Sequence, residues 1–117
     1  MEVAEAKEIE WTPERGREQA YIAADKYKIN REVFVKTMEC ESSFSDPAIQ
    51  SGHYKNGVRE TSFGYSQFNL PSGLQTADGR TITKDIAIDP VQSLDAAAYL
   101  FSVGQASAWS CYKNNSI

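Results

Sequence analysis

Arg31-Glu32-Val33-Phe34-Val35-Lys36-Thr37-Met38-Glu39-Cys40-Glu41-Ser42-Ser43-Phe44 is the stretch on which the fold turns. Asn30 before it is an N-cap candidate, and a helix is predicted from Arg31 to about Ser42. At about 100° per residue, Val33, Phe34, Thr37 and Met38 fall on one side, with Cys40 at its edge. Glu41 falls near the centre of that side, in line with Met38 and Phe34. Glu39 falls roughly opposite, where a solvated ion pair with Lys36 is expected. The helix thus sets one carboxylate on its apolar face and one in water. A carboxylate on an apolar face is costly unless it has a partner or a purpose. Burial disfavours its charged form and raises its pKa, which leaves a proton donor near neutral pH. The competing expectation is a helix end where Glu41 turns to water or accepts backbone N–H groups from the next turn.

Upstream, Thr12-Pro13-Glu14 opens an earlier helix. Thr caps, Pro suits the first helical position, and Glu complements the dipole. That helix should run to about Tyr27, with Ala20, Tyr21, Ala24 and Tyr27 inward. Residues 1–11 read as an acidic lead-in to one domain over residues 12–117. Downstream, Asp46-Pro47 ends the helical region, because the residue before Pro avoids helical angles. From Ser51 to Thr83 the sequence is rich in Gly, Ser, Thr and Asn. Loops are expected there, with a small hairpin around Val58–Phe63 and a short helix starting near Phe63–Gln67. Asn56-Gly57 and Asp78-Gly79 are turn signals. A last long helix opens at Asp89-Pro90, with Gln92 completing a capping box. Val91, Leu94, Ala98 and Phe101 recur at helical spacing, and Gly104 is a terminator. Gln105–Tyr112 is expected to form one more short helix. The fold class is mainly α: a helical domain with an irregular middle.

A chain of 117 residues is within the range of one domain, and should hide roughly 65% of its unfolded surface. Its net charge of −4 argues against nucleic acid or an anionic membrane surface as partner, since both need clustered Lys and Arg. No apolar run approaches the ~20 residues of a membrane span, so no membrane insertion is expected. The acidic start lacks the basic and apolar regions of a signal peptide, so export by another route or a removed leader is expected. Cys40 and Cys111 fit neither a metal knuckle nor a CxxC redox pair. They are either two buried thiols or one disulfide tying the tail to the second helix. The latter would imply an oxidising compartment. His53 is the single histidine, and with no matching cysteine cluster no metal site is expected. No cofactor is implied either.

Glu41-Ser42-Ser43-Phe44 resembles the E-S-x-F motif of the soluble lytic transglycosylases, which share a lysozyme-like fold with goose-type lysozymes. Gly64-Tyr65-Ser66-Gln67-Phe68-Asn69 is similar to their G-L-M-Q-I-N segment, in the same order and at a matching separation. Ile88-Asp89-Pro90 through Ala96-Ala97-Ala98-Tyr99-Leu100 resembles the later helix that closes that fold. The similarity spans about residues 15–112. It implies a monomeric enzyme acting on peptidoglycan glycan strands in the periplasm, outside the cell, or in a phage particle. Glu41 would be the acid and base. Ser42 would close the helix near the substrate. Gly64, Tyr65, Ser66 and Gln67 would form the substrate-binding segment, although Tyr65 and Ser66 stand where the family usually has Leu and Met. Its A-Y-N element is missing, which makes Tyr99 and Tyr112 the available substitutes for its Tyr.

One carboxylate suffices for a transglycosylase, because the substrate supplies the second group. A hydrolytic lysozyme needs a second acid. Asp89 reads as a helix cap and Asp46 as a turn residue, which leaves Glu60 as the candidate. Tyr54 and Tyr65 are candidate sugar platforms, and Trp109 is expected to pack the tail. A third expectation, of a different class, is a non-catalytic glycan-binding or structural module.

Overall fold

The computed structural model describes residues 10–117. The lead-in thus lies mostly outside the described residues. The order is α1 (Pro13–Lys26), α2 (Arg31–Ser42), β1 (Tyr54–Lys55), β2 (Val58–Arg59), β3 (Ser62–Phe63), β4 (Phe68–Asn69), α3 (Lys84–Ala87), α4 (Pro90–Ser102) and α5 (Ser110–Lys113), with 3-10 turns at Leu70–Ser72 and Ala106–Ala108. The class is mainly α, and among the described residues no helix is long and apolar enough to cross a membrane.

The three long helices begin where their caps place them. Thr12 Oγ1 accepts from Arg15 N at 3.1 Å, Asn30 Oδ1 from Val33 N at 3.1 Å, and Asp89 Oδ1 from Val91 N and Gln92 N at 3.0 Å. α1 buries Gly16, Ala20, Ala23 and Ala24. These small residues let its backbone approach α2 and α4, its main partners. A Cβ on Gly16 would stand 3.0 Å from the rings of Phe44 and Tyr65. Tyr21 and Tyr27 are only half-buried; the Tyr27 hydroxyl donates to Asp95 at 2.9 Å. α2 buries Phe34, Val35, Thr37 and Met38, while Val33 is half-buried. Glu39 does face water, but it pairs with Arg17 of α1 at 2.9 Å rather than with Lys36. On α4, Val91 is exposed, and Leu94, the Ala96–Ala98 run and Leu100 carry the buried face.

The middle departs further from expectation. Asn56 and Gly57 both have positive φ, and they close the β1–β2 hairpin with Tyr54 opposite Arg59. No helix starts at Phe63–Gln67. Instead β3 and β4 pair antiparallel, Phe63 opposite Phe68, and residues 64–67 make the connection. Positive φ at Gly64 (83°) and Gln67 (48°) breaks any helical run there. α3, which no sequence signal marked, is one turn capped by Thr83. The tail forms two separate turns, because Trp109 between them is extended and inserts into the core.

Cys40 and Cys111 are joined in a disulfide across 71 residues of chain. In the loop-entropy model such a closure contributes about 4 kcal/mol.

Candidate active site

α2 ends in a sharp turn. Ser43 and Phe44 both adopt left-handed angles, with φ of 58° and 51°. That conformation is strained for non-glycine residues. Two features hold it: the Ser42 hydroxyl donates to Met38 O at 3.1 Å and accepts from Phe44 N at 3.3 Å, and Phe44 is fully buried against Tyr65. The turn stops the helix one residue after Glu41 and leaves that carboxyl at its C-terminal end. Negative charge is disfavoured there.

Glu41 is half-buried at the wall of a cleft of about 440 Å³. The cleft is bounded by the end of α2, the 49–53 loop, the β2–β4 region with Glu60, Gln67 and Asn69, and the tail at residues 108–111. Burial pushes the Glu41 carboxyl above its ordinary pKa. The Cys111 N–H, the Ser110 hydroxyl and His53 pull it partway back, while Glu60 adds to the rise. Cys111 N donates to Glu41 Oε2 at 3.1 Å, and Ser110 Oγ lies 3.5 Å from the same oxygen. The competing expectation from sequence is therefore met in part: Glu41 does accept a backbone N–H, but from the far end of the chain. Oε1 has no hydrogen-bond partner among the described residues.

Gln67 lines the same cleft. Its carboxamide nitrogen donates to Ile49 O at 3.1 Å and to Gly64 O at 3.0 Å. That leaves its oxygen to offer a ligand, and makes Gln67 a brace for the cleft wall. Glu60 also lines the cleft and is exposed. Tyr54 is 65% exposed and sits in an adjoining depression that shares His53, Glu60 and Asn69 with the cleft.

The remaining expected contacts face elsewhere. Tyr65 is fully buried against Gly16, Phe44 and Trp11, so it is a core residue rather than a sugar platform. Ser66 is fully buried as well; its hydroxyl donates to Ser93 O at 3.2 Å and accepts from Ser93 Oγ at 3.0 Å. Gly64 is buried, and a Cβ there would run into the Ala87 carbonyl, so its task is to seat α3 rather than to admit a sugar. Ser42 is 5% exposed and shapes the turn from below. Neither Tyr99, packed on Tyr27, nor Tyr112, packed on Phe101, lines the cleft.

The sequence reading missed the tail as a wall of the site. Trp109 is 4% exposed, and its indole N–H donates to Ser66 O at 2.6 Å, which docks residues 108–111 beside Glu41. The one available signal was the Cys40 and Cys111 pair. No protein-family model matches the chain, and neither the curated proteins nor the solved structures include a match.

Proposed function

We propose that the chain is a peptidoglycan-cleaving enzyme of lysozyme-like fold, acting as a lytic transglycosylase with Glu41 as its acid and base. The observation that carries this reading is the Glu41 carboxyl, half-buried at the wall of a polar cleft, with its pKa raised by desolvation. The E-S-x-F resemblance at residues 41–44 and the glycine-to-asparagine segment at 64–69 add to it. So does the meeting of Glu41 and Gln67 in one cleft.

In the proposed reaction, protonated Glu41 gives its proton to the glycosidic oxygen between MurNAc and GlcNAc. The acetamido carbonyl of MurNAc stabilises positive charge at C1. Ionised Glu41 then takes the proton of the C6 hydroxyl, whose oxygen attacks C1 of the same sugar. The product is a 1,6-anhydro end, and no water is consumed. Such a substrate-assisted route needs one protein carboxylate. The disulfide is compatible with the cell envelope or the extracellular space as the working compartment.

Hydrolysis is the second reading, favoured by Glu60 lying in the same cleft. Digestion of purified peptidoglycan followed by mass analysis separates the two. Transglycosylation gives fragments one water lighter than hydrolysis does. Glu41→Gln should lower either activity by about 10²–10⁴-fold. Full activity in that variant would sink the assignment of Glu41, and binding without fragment release in the native chain would sink the enzymatic reading. Full-mass products, with Glu60→Gln inactive, would establish the hydrolase.

A further inference from the structure

The covalent link and the acid occupy adjacent positions. Cys40 precedes Glu41 on α2, and the partner cysteine, Cys111, supplies the backbone N–H that meets Glu41 Oε2 at 3.1 Å. Both half-cystines line the cleft. We propose that the Cys40–Cys111 disulfide is a positioning element for Glu41, one that couples the geometry of the acid to the redox state of its surroundings. The inference rests on the reading of Glu41 as the acid.

Besides the disulfide, the tail is anchored by Trp109 and by the packing of Tyr112 on Phe101. Among residues 103–117, Trp109 alone is buried, and α5 contributes no buried residue. Its docking residue and its covalent tie are thus separate. Trp109 is seated by the core and by Ser66 O; Ser110 and Cys111 are kept against Glu41 by the disulfide. Cys40 is exposed and Cys111 half-buried, so a small thiol can reach the bond. In the step, a dithiol reductant attacks one sulfur and the S–S bond breaks. Two electrons and two protons pass to Cys40 and Cys111, and the reductant leaves as its own disulfide. With the tie cut, Trp109 and the Tyr112–Phe101 packing remain, and Ser110 and Cys111 between them move off Glu41. Glu41 loses the Cys111 N–H and the Ser110 hydroxyl, and that wall of the cleft opens to water. His53 and Glu60, the charged or titratable groups facing Glu41 across the cleft, stay in place.

The test follows the Glu41 carboxyl of the full chain by carbon-13 NMR titration, with and without dithiothreitol. Assignment comes from the Glu41→Gln variant. Because burial is the larger influence, reduction should move the titration down toward the ordinary glutamate range. It should also abolish exchange protection of the Cys111 amide. The Cys40→Ala/Cys111→Ala variant should behave as the reduced protein does. Peptidoglycan release at pH 7 should fall about tenfold in both. A disulfide with a merely structural role would lower the melting temperature and leave the titration where it was; that result overturns the proposal. A shifted titration without fragment release in either state supports the clamp and removes the enzymatic reading. Should the reduced chain unfold, Ser110→Ala tests the same contact with the bond intact. It should raise the Glu41 titration further, and an unmoved titration would overturn the proposal.

Discussion

Glu41 carries opposing demands. Its carboxyl is desolvated and stands at a helix C-terminus, yet it accepts the Cys111 N–H. Its folded pKa is raised above the unfolded one, so the folded state binds more protons over the interval between them. The sign is therefore definite: Glu41 costs no stability below the ordinary glutamate pKa, and it destabilises the fold as pH rises through its folded value. Glu41→Gln should raise the melting temperature at pH 7 by roughly 2 °C, with no difference near pH 3. A calorimetric pH series checks this, and a gain that persists undiminished at pH 3 would contradict it. Ser42 and Phe44 are the other residues whose environment matters at this scale. Ser42 bridges Met38 and Phe44 across the helix end, and so fixes where Glu41 emerges.

Among the elements, the β3–β4 hairpin and α4 show how local chemistry and packing divide the work. Gly64 has φ of 83° and lies against the Ala87 carbonyl. Gly64→Ala should destabilise by on the order of 3 kcal/mol, read as a lowered urea midpoint, because strain and collision coincide. A change within the noise of the measurement would mean that α3 moves aside freely. Asp89 caps α4 through two N–H groups, and its other carboxylate oxygen accepts from Gln92 Nε2 at 3.1 Å. Asp89→Ala should cost about 1 kcal/mol by the same measurement and leave the cleft intact, since α4 does not line it. A specific loss of glycan cleavage in that variant, at full stability, would assign Asp89 a second task.

For the whole molecule, the disulfide and Trp109 close the chain on itself. The tail completes a cleft that α2 and the hairpins leave open. Reduction should lower global stability by about 4 kcal/mol, seen as a lower denaturant midpoint for the reduced chain. Equal midpoints would show that the unfolded chain is already restricted without the bond. The small-residue face of α1 lets it serve as a common wall for α2 and α4. Around that wall the core mixes aromatic rings, Phe34, Phe44, Tyr65 and Phe68 among them, with aliphatic side chains such as Met38, Ile82, Leu94 and Leu100.

Sequence alone determined the three long helices, because caps, proline positions and 3.6-residue periodicity are local properties. It also placed Glu41 on the inner side of α2, for the same reason. It failed where burial depended on partners distant in the chain. Tyr65 and Ser66 look like cleft residues beside Gln67, but the left-handed turn at Gly64 and Gln67 turns them into the core. Lys36 lies one helical turn from Glu39, yet Arg17 takes that partner across the α1–α2 interface. The cysteine pair was left open because sequence gives spacing, not proximity. Only the tertiary structure decided that residues about 70 positions away desolvate Glu41 and donate to it, since packing and long-range closure set solvent access.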